Sequence, residues 1–550
     1  MRVAASSRAS QELTVRRWPA WWRWLVGALS LLAIGVGVGR LEALSEGVAV
    51  EALRLGQTPV TVFRPAVQDK AAASAPVVLI AHGFAGSQQL MQPFALTLAR
   101  NGFVAVTFDF PGHGRNPMPM RGGLADQDES QRTLLASMAE MGAFARNLAG
   151  AGGASAGTDT EPANYAVIGH SMASDIIVRH AQAHPAVQAS VGVSLFAPSI
   201  DADTPGDSPR NLLVISGAVE PQMMATEALR VVGRVAGAGA TLDTTYGRFD
   251  AGTARRATLS PGVEHIGVLY SAHTQAETLA WLNAAYDRSP APQPFVDARG
   301  PALGLLLLGV VGLAWPLSAL LPRVAAERAA GAVANPRRRW WGWRGQALAI
   351  LVPALLTPLL LWKLPSDVLP ILLGDYLLLH FALYGLLTFC ALGWLGLRPK
   401  RLAAGQLAAL AVATLAVTAY GLLAVGLPVD RYLFNLRPEP VRVPIILALC
   451  LGTLLYFLAD EWLTRGSEAP SGAYFASKLA FLLSLVLAIL LNPQRLFFLA
   501  IIVPAILLLF VIYGLFSRWA NARTASPAVA ALANAVVFAW FVALTFPLVA

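Results

Sequence analysis

The stretch VIGHSMASDIIVRHA, Val167–Ala181, decides the fold: a short apolar strand, a serine between small residues, then a helical pattern. Ser171 admits two readings here, a nucleophile on a strained turn or an ordinary N-cap at the start of a helix. A tight strand-to-helix turn needs small residues two positions to either side, and Gly169 and Ala173 meet that need. Such a turn pushes Oγ above the sheet, with the backbone N–H groups of the helix start nearby. The usual signature has Gly where this chain has Ala173.

Working outward, residues 46–290 alternate strands and helices. TPVTVF, PVVLIAH, VAVTFDF, YAVIGH, ASVGVSLFA, NLLVISG and RRATLSPG read as strands. QPFALTLARNG and residues 127–149, 172–184, 222–236 and 274–286 read as helices, with Gly150–Gly157 a flexible loop. Near-continuous apolar strands alternating with helices predict a mostly parallel sheet covered on both faces.

Ser171 has companions. LIAHGFAGS (Leu79–Ser87) is a buried strand ending in His-Gly, and the loop after it can aim the Phe84 N–H at a developing oxyanion, with the Met172 N–H as second donor. FDFPGHGRN follows the next strand as a Gly/Pro-rich turn on the same sheet edge. A serine hydroxyl needs a base. Of the eight histidines, His265 and His273 lie in this region after the last long strand. His265 directly follows a short strand and is preferred; His273 opens the last helix. An imidazole base needs a carboxylate to hold its tautomer. Glu220, just past a strand in VISGAVEP, is the first choice, and Asp201 the fallback.

HGFAGS, FDFPGHGRN, GHSMA, SGAVEP and GVEHIG stand in an order and spacing that resembles the α/β-hydrolase superfamily over residues 58–288, closest to its dienelactone-hydrolase-like and serine-aminopeptidase-like members. The resemblance implies Ser171 as nucleophile, Glu220 as acid, His265 as base, and Phe84 with Met172 as oxyanion hole, with no metal or cofactor. The acid is Glu rather than the commoner Asp, which keeps Asp201 in play. The segment between Ala197 and Leu212 is too short for the large cap domain of many relatives.

The rest of the chain is of another kind. The sequence is 56% hydrophobic and only 13% charged, against about a quarter charged in soluble chains, and the excess lies after Pro301. Apolar runs near 301–321, 345–363, 368–396, 403–427, 442–463, 476–492, 495–516 and 527–549 are each long enough to span a bilayer. A further apolar segment, Trp21–Gly39, follows a basic tail and reads as an uncleaved signal anchor, a cleaved signal peptide being the alternative. The expected organisation is a cytoplasmic tail and anchor (1–45), an α/β-hydrolase domain (46–290), a Pro-rich linker (291–300) and an all-α transmembrane bundle of about eight helices (301–550).

The net charge of +9 does not point to nucleic acid, because the arginines sit beside apolar runs, as in membrane proteins. The charge rule places the N-terminus and the Arg337–Arg344 and Arg398–Arg401 loops in the cytoplasm. Residues 40–300 then fall outside, on the periplasmic side of a bacterial inner membrane. The loop Pro428–Arg442 also falls outside, although it carries three arginines. Cys390 and Cys450 lie in apolar runs and leave the redox compartment open. Asp375 and His380, with Asp460 and Glu461, read as an intramembrane polar pocket for a lipid head group or a proton path, or else as an Asp–His hydrogen bond between helices with Asp460 and Glu461 snorkelling at the interface. The expected activity is a membrane-anchored serine hydrolase of ester or thioester type acting on a small or lipid-like acyl substrate. Acyl transfer or peptide cleavage on the same residues, and a transporter or scaffold with a non-catalytic hydrolase-like domain, are the alternatives.

Overall fold

The computed structural model describes residues 20–66, 75–123, 126–152, 164–325, 342–365, 367–396, 403–466 and 469–550. The arginine runs at 337–339 and 398–401, the basic tail, and most of the loop read at 150–157 lie outside them.

Eight strands form one sheet: β1 (Val48–Leu55), β2 (Thr58–Pro65), β3 (Val77–Ala81), β4 (Val104–Phe108), β5 (Tyr165–His170), β6 (Val187–Val193), β7 (Leu212–Gly217) and β8 (Arg255–Ser260). Their order is β1-β2-β4-β3-β5-β6-β7-β8. β1 and β2 form an antiparallel hairpin, β2 meets β4 antiparallel, and every later pair is parallel. β3, β4, β5 and β7 are buried at every position, because helices cover both faces. α1 (Ala20–Ala43) precedes the sheet. α2 (Gln92–Arg100), α3 (Gln127–Gly152), α4 (Met172–Ala183), α5 (Gln222–Ala236) and α6 (Ala272–Ala285) connect and follow its strands. Separate apolar clusters fill the two faces, one around Phe94, Ile168 and Trp281, the other around Phe108, Met138 and Val167.

The second part is helical: α7 (Gly300–Leu317), α8 (Gly342–Leu361), α9 (Gly374–Trp394), α10 (Ala404–Ala419), α11 (Gly426–Tyr432), α12 (Val443–Arg465), α13 (Ala473–Leu491), α14 (Pro493–Leu496), α15 (Leu499–Thr524) and α16 (Pro527–Thr545). Among the described residues, nine helices are long and apolar enough to cross a membrane, α1 included. α10 runs on through a π-helical stretch (Tyr420–Val425) into α11. Leu308, Leu451 and Leu490 face outward and are exposed. α1 lies along α7, where small residues allow close approach: a Cβ on Gly309 would come within 2.8 Å of the Ser30 carbonyl oxygen.

The Pro-rich linker and the arginine-bearing loop Pro428–Arg442 are both packed against other parts of the chain. The Pro-rich stretch after Asp287 is docked rather than free: Arg100 lies over the Phe295 ring at 4.0 Å, Asp297 N–H donates to Thr97 Oγ1, and the buried Arg299–Asp297 pair spans 2.7 Å. The arginines of Pro428–Arg442 have local partners. Arg431 pairs with Glu42 at 2.6 Å. Arg442, 1% exposed, donates to the carbonyls of Gly112, Ala543 and Phe546. Across the same seam Arg115 holds Asp430 and Asn435, and Leu548 exchanges backbone hydrogen bonds with Gly112 and Met120.

Candidate active site

β5, β6, β7 and β8 are neighbours, and the residues just past their carboxyl ends meet. Ser171 follows β5 with φ 54° and ψ −114°, a conformation that strains a residue bearing a Cβ. The turn closes tightly: a Cβ on Gly169 would come within 2.7 Å of the Ala173 carbonyl oxygen, and Ala173 is fully buried. Ser171 is therefore more than a helix cap, since its own side chain makes no capping bond to α4.

His265 lies past β8. Its Nε2 is 2.9 Å from Ser171 Oγ, and its Nδ1 is 2.8 Å from Glu220 Oε2. The Glu220 side chain is 1% exposed and that of His265 26%. Glu220 Oε1 also accepts from Ser194 Oγ and from the Gly217 N–H, both at 2.7 Å. Burial pushes the Glu220 carboxyl up, but the bonds from His265, Ser194 and Gly217 together outweigh it and hold the group below the usual carboxylate range. Glu220 is thus a carboxylate whose spare oxygen is already satisfied, as a fixed orienting group must be.

Asp201, the fallback acid, is occupied elsewhere: it accepts from Thr204 Oγ1 and the Asp203 N–H and makes no bond to His265. His273 bonds Thr258 Oγ1 at 3.2 Å, away from Ser171. Asp201 on its loop and His273 in the first turn of α6 are both bonded to other partners.

Besides Ser194, three groups that orient the site escaped the sequence reading. His82 Nδ1–H donates to the Gly83 carbonyl at 2.8 Å, and its Nε2 accepts from the Phe110 N–H at 3.1 Å. In a trans peptide the C=O and the following N–H point in opposite directions, so His82 fixes the direction of the Phe84 N–H. Burial holds His82 below its ordinary imidazole value, which keeps the neutral tautomer those two bonds require. His170 Nε2–H donates to the His265 carbonyl at 3.0 Å. Glu264 accepts from the N–H groups of Ile266 and Gly267, closing the turn that carries His265. His170 ends β5 and bonds a residue 95 positions away, and His82 reaches the Phe110 N–H 28 positions away, so no local pattern announces either.

Gly83 packs directly under the nucleophile: a Cβ there would stand 3.1 Å from Ser171 Cβ. The Phe84 N–H therefore lies beside Ser171, and Met172 opens α4 with its N–H in the unpaired first turn. The Phe84 ring leans on the helix bundle, 4.4 Å from the Phe498 ring and 6.5 Å from that of Phe546.

Residues 72–235 match the family model described as serine aminopeptidase, S33. The sheet domain has the α/β-hydrolase fold. A search of the curated proteins finds no match. Among solved structures, the Thermus thermophilus protein TT1662 is similar at 14% identity, covering 44% of this chain and 99% of its own, with a TM-score of 0.32. A putative α/β hydrolase from Agrobacterium tumefaciens is 16% identical over 45% of this chain and 100% of its own, TM-score 0.32. The thioesterase domain from the curacin biosynthetic pathway is 14% identical over 42% of this chain and 98% of its own, TM-score 0.28.

Asp375 and His380 do not form one site in the helix bundle. Asp375 accepts from the Tyr376 N–H at 2.7 Å, whereas His380 is fully buried between Tyr376 Oη at 3.3 Å and Ser484 Oγ at 3.2 Å. Five residues on one helix separate them by more than one turn. Asp460 and Glu461 are buried rather than interfacial: Asp460 pairs with Lys478 and Ser477, and Glu461 with Arg465 at 3.2 Å. Among the described residues no cluster of three His, Cys, Asp or Glu could hold a metal ion.

Proposed function

We propose that this chain is a membrane-anchored serine hydrolase that cleaves ester or thioester bonds of lipid-like acyl substrates through an acyl-enzyme on Ser171. The observation that carries the reading is the 2.9 Å and 2.8 Å chain from Ser171 Oγ through His265 to Glu220. In this reading Ser171 Oγ attacks the acyl carbon while His265 Nε2 takes its proton. Glu220 steadies the imidazolium, and the N–H groups of Phe84 and Met172 hold the oxyanion. His265 then protonates the departing alcohol or thiol. Water, deprotonated by the same imidazole, releases the acid and restores Ser171.

The membrane part of the proposal is supported by nine apolar helices and their outward leucines. The basic segments beside the apolar runs favour an orientation with the hydrolase domain on the periplasmic side of a bacterial inner membrane. Phe84 resting on Phe498 places the site against the helix ends, which suits a substrate delivered from lipid. A fluorophosphonate probe tests the core claim. Wild-type protein is expected to label and Ser171→Ala to lose all labelling; equal labelling of the two removes Ser171 from its role.

A further inference from the structure

We infer that the cavity at the seam between the sheet domain and the helix bundle binds the head group of a zwitterionic phospholipid carrying a primary ammonium; the inference rests on the proposed membrane-bound hydrolase and names the class of lipid it meets. The cavity measures about 750 Å³ and is bounded by Gly122 and Gly123, residues 367–373, the first turn of α9, Asn492, residues 494–496 and Val549. That is ample for a head group and its glycerol. α8 and α13 end beside it, and α9 and α15 begin there. The cavity therefore sits at the level where apolar spans give way to water, which is where lipid head groups lie.

Its lining has two characters. Val368, Leu369, Leu372 and Leu496 are apolar; Asp375, Asp367 and Arg495 are charged. Asp375 is 6% exposed, and among the described residues it forms no ion pair. A buried carboxylate without a cation is costly, so an arriving ammonium is favoured there. Arg495 pairs with Asp367, whose side chain is 82% exposed. A pair that open to water is weak and yields to a phosphate. Two carboxylates against one guanidinium disfavour a purely anionic head group. A primary ammonium donates hydrogen bonds to Asp375, which a quaternary one cannot.

The cavity walls belong to the catalytic neighbourhood. Leu372 and Val549 pack on the same apolar cluster as Met172, and Phe498, two residues past Leu496, carries Phe84.

The test uses full-length protein carrying Ser171→Ala, so that nothing is turned over, with native mass spectrometry after competition among ethanolamine, glycerol and choline phospholipids of identical chains. The ethanolamine lipid is expected to be retained about tenfold over the other two, the worth of one charge-assisted hydrogen bond. Adding Asp375→Asn should bring the three to parity, and adding Val368→Trp, which fills the mouth and leaves the charges, should lower retention of all three. No ethanolamine preference, or a preference unchanged by Asp375→Asn, overturns the inference. Circular dichroism and the melting temperature of the Asp375→Asn and Val368→Trp proteins report folding. Failure of the wild type to label counts against the hydrolase reading and leaves the lipid preference to be judged by itself.

Discussion

Glu220 has one oxygen for His265 and one for Ser194 and Gly217, and this division of labour predicts a graded response. Glu220→Gln keeps the shape and removes the charge that favours the imidazolium, so kcat should fall by about 10²–10⁴, as for a neutralised orienting acid. Ser194→Ala removes one hydrogen bond to a charged acceptor, worth about 1.5–3 kcal/mol, and part of that loss reaches the imidazole, so a smaller drop in kcat is expected with KM unchanged. Steady-state kinetics on a chromogenic acyl ester reads both, and equal losses for the two would contradict the assignment. His82 makes a different prediction. It orients the Gly83–Phe84 peptide and touches no substrate, so His82→Ala should lower kcat by about 10- to 100-fold, less than the 10²–10³ loss of an oxyanion donor itself. Binding of a ground-state analogue should be unaffected.

At the scale of elements, the central strands and α4 were legible because burial on both sheet faces writes itself as unbroken apolar runs. β1 was not read: it is an edge strand, exposed at most positions, so VAVEALRL carries no run or clean alternation. Ser171, His265 and Glu220 were legible because each follows a strand end. Ser194 and His170 were not, because they act through bonds to residues 26 and 95 positions away. The arginines of the α11–α12 region have partners far away in sequence, Glu42 of α1 for Arg431 and the carbonyls of Gly112, Ala543 and Phe546 for Arg442, so the local sequence does not show what neutralises them. The β3 loop and the β5–α4 turn meet most closely at Gly83, where an added Cβ would stand 2.9 Å from His170 Nδ1 and 3.0 Å from the His170 carbonyl oxygen. Both neighbours are fixed, one a backbone atom and the other a fully enclosed ring. Gly83→Ala should therefore displace the Phe84 N–H and abolish fluorophosphonate labelling while circular dichroism stays native. Full labelling would show that the loop is free to move.

For the whole molecule, the buried imidazoles set an acid limit. Burial lowers His113, His170 and His180 to about 3 each, and His82 in the same direction. Once unfolded, each returns to an ordinary value near 6.5 and takes up a proton that the folded chain refuses. Stability therefore rises with pH across this window and falls as the solution is acidified below about pH 6.5. At about pH 5 each of the three costs on the order of 2 kcal/mol relative to neutrality. Together that is comparable to the 5–15 kcal/mol that holds a typical domain. Glu220, held below its ordinary value, adds to the loss only at more acid pH, as its own carboxyl protonates. The temperature of half-inactivation, read by residual fluorophosphonate labelling, should drop steeply between about pH 7 and pH 5. His180 offers the control. It is 2% exposed, bonds Tyr165 Oη at 2.6 Å and lies at the far end of α4 from Ser171. His180→Gln keeps a partner for that hydroxyl and cannot be protonated, so it should reduce the acid slope by no more than about a third while leaving labelling at neutral pH unchanged. A slope that is flat in the wild type, or identical in His180→Gln, would mean that these rings are hydrated and titrate normally.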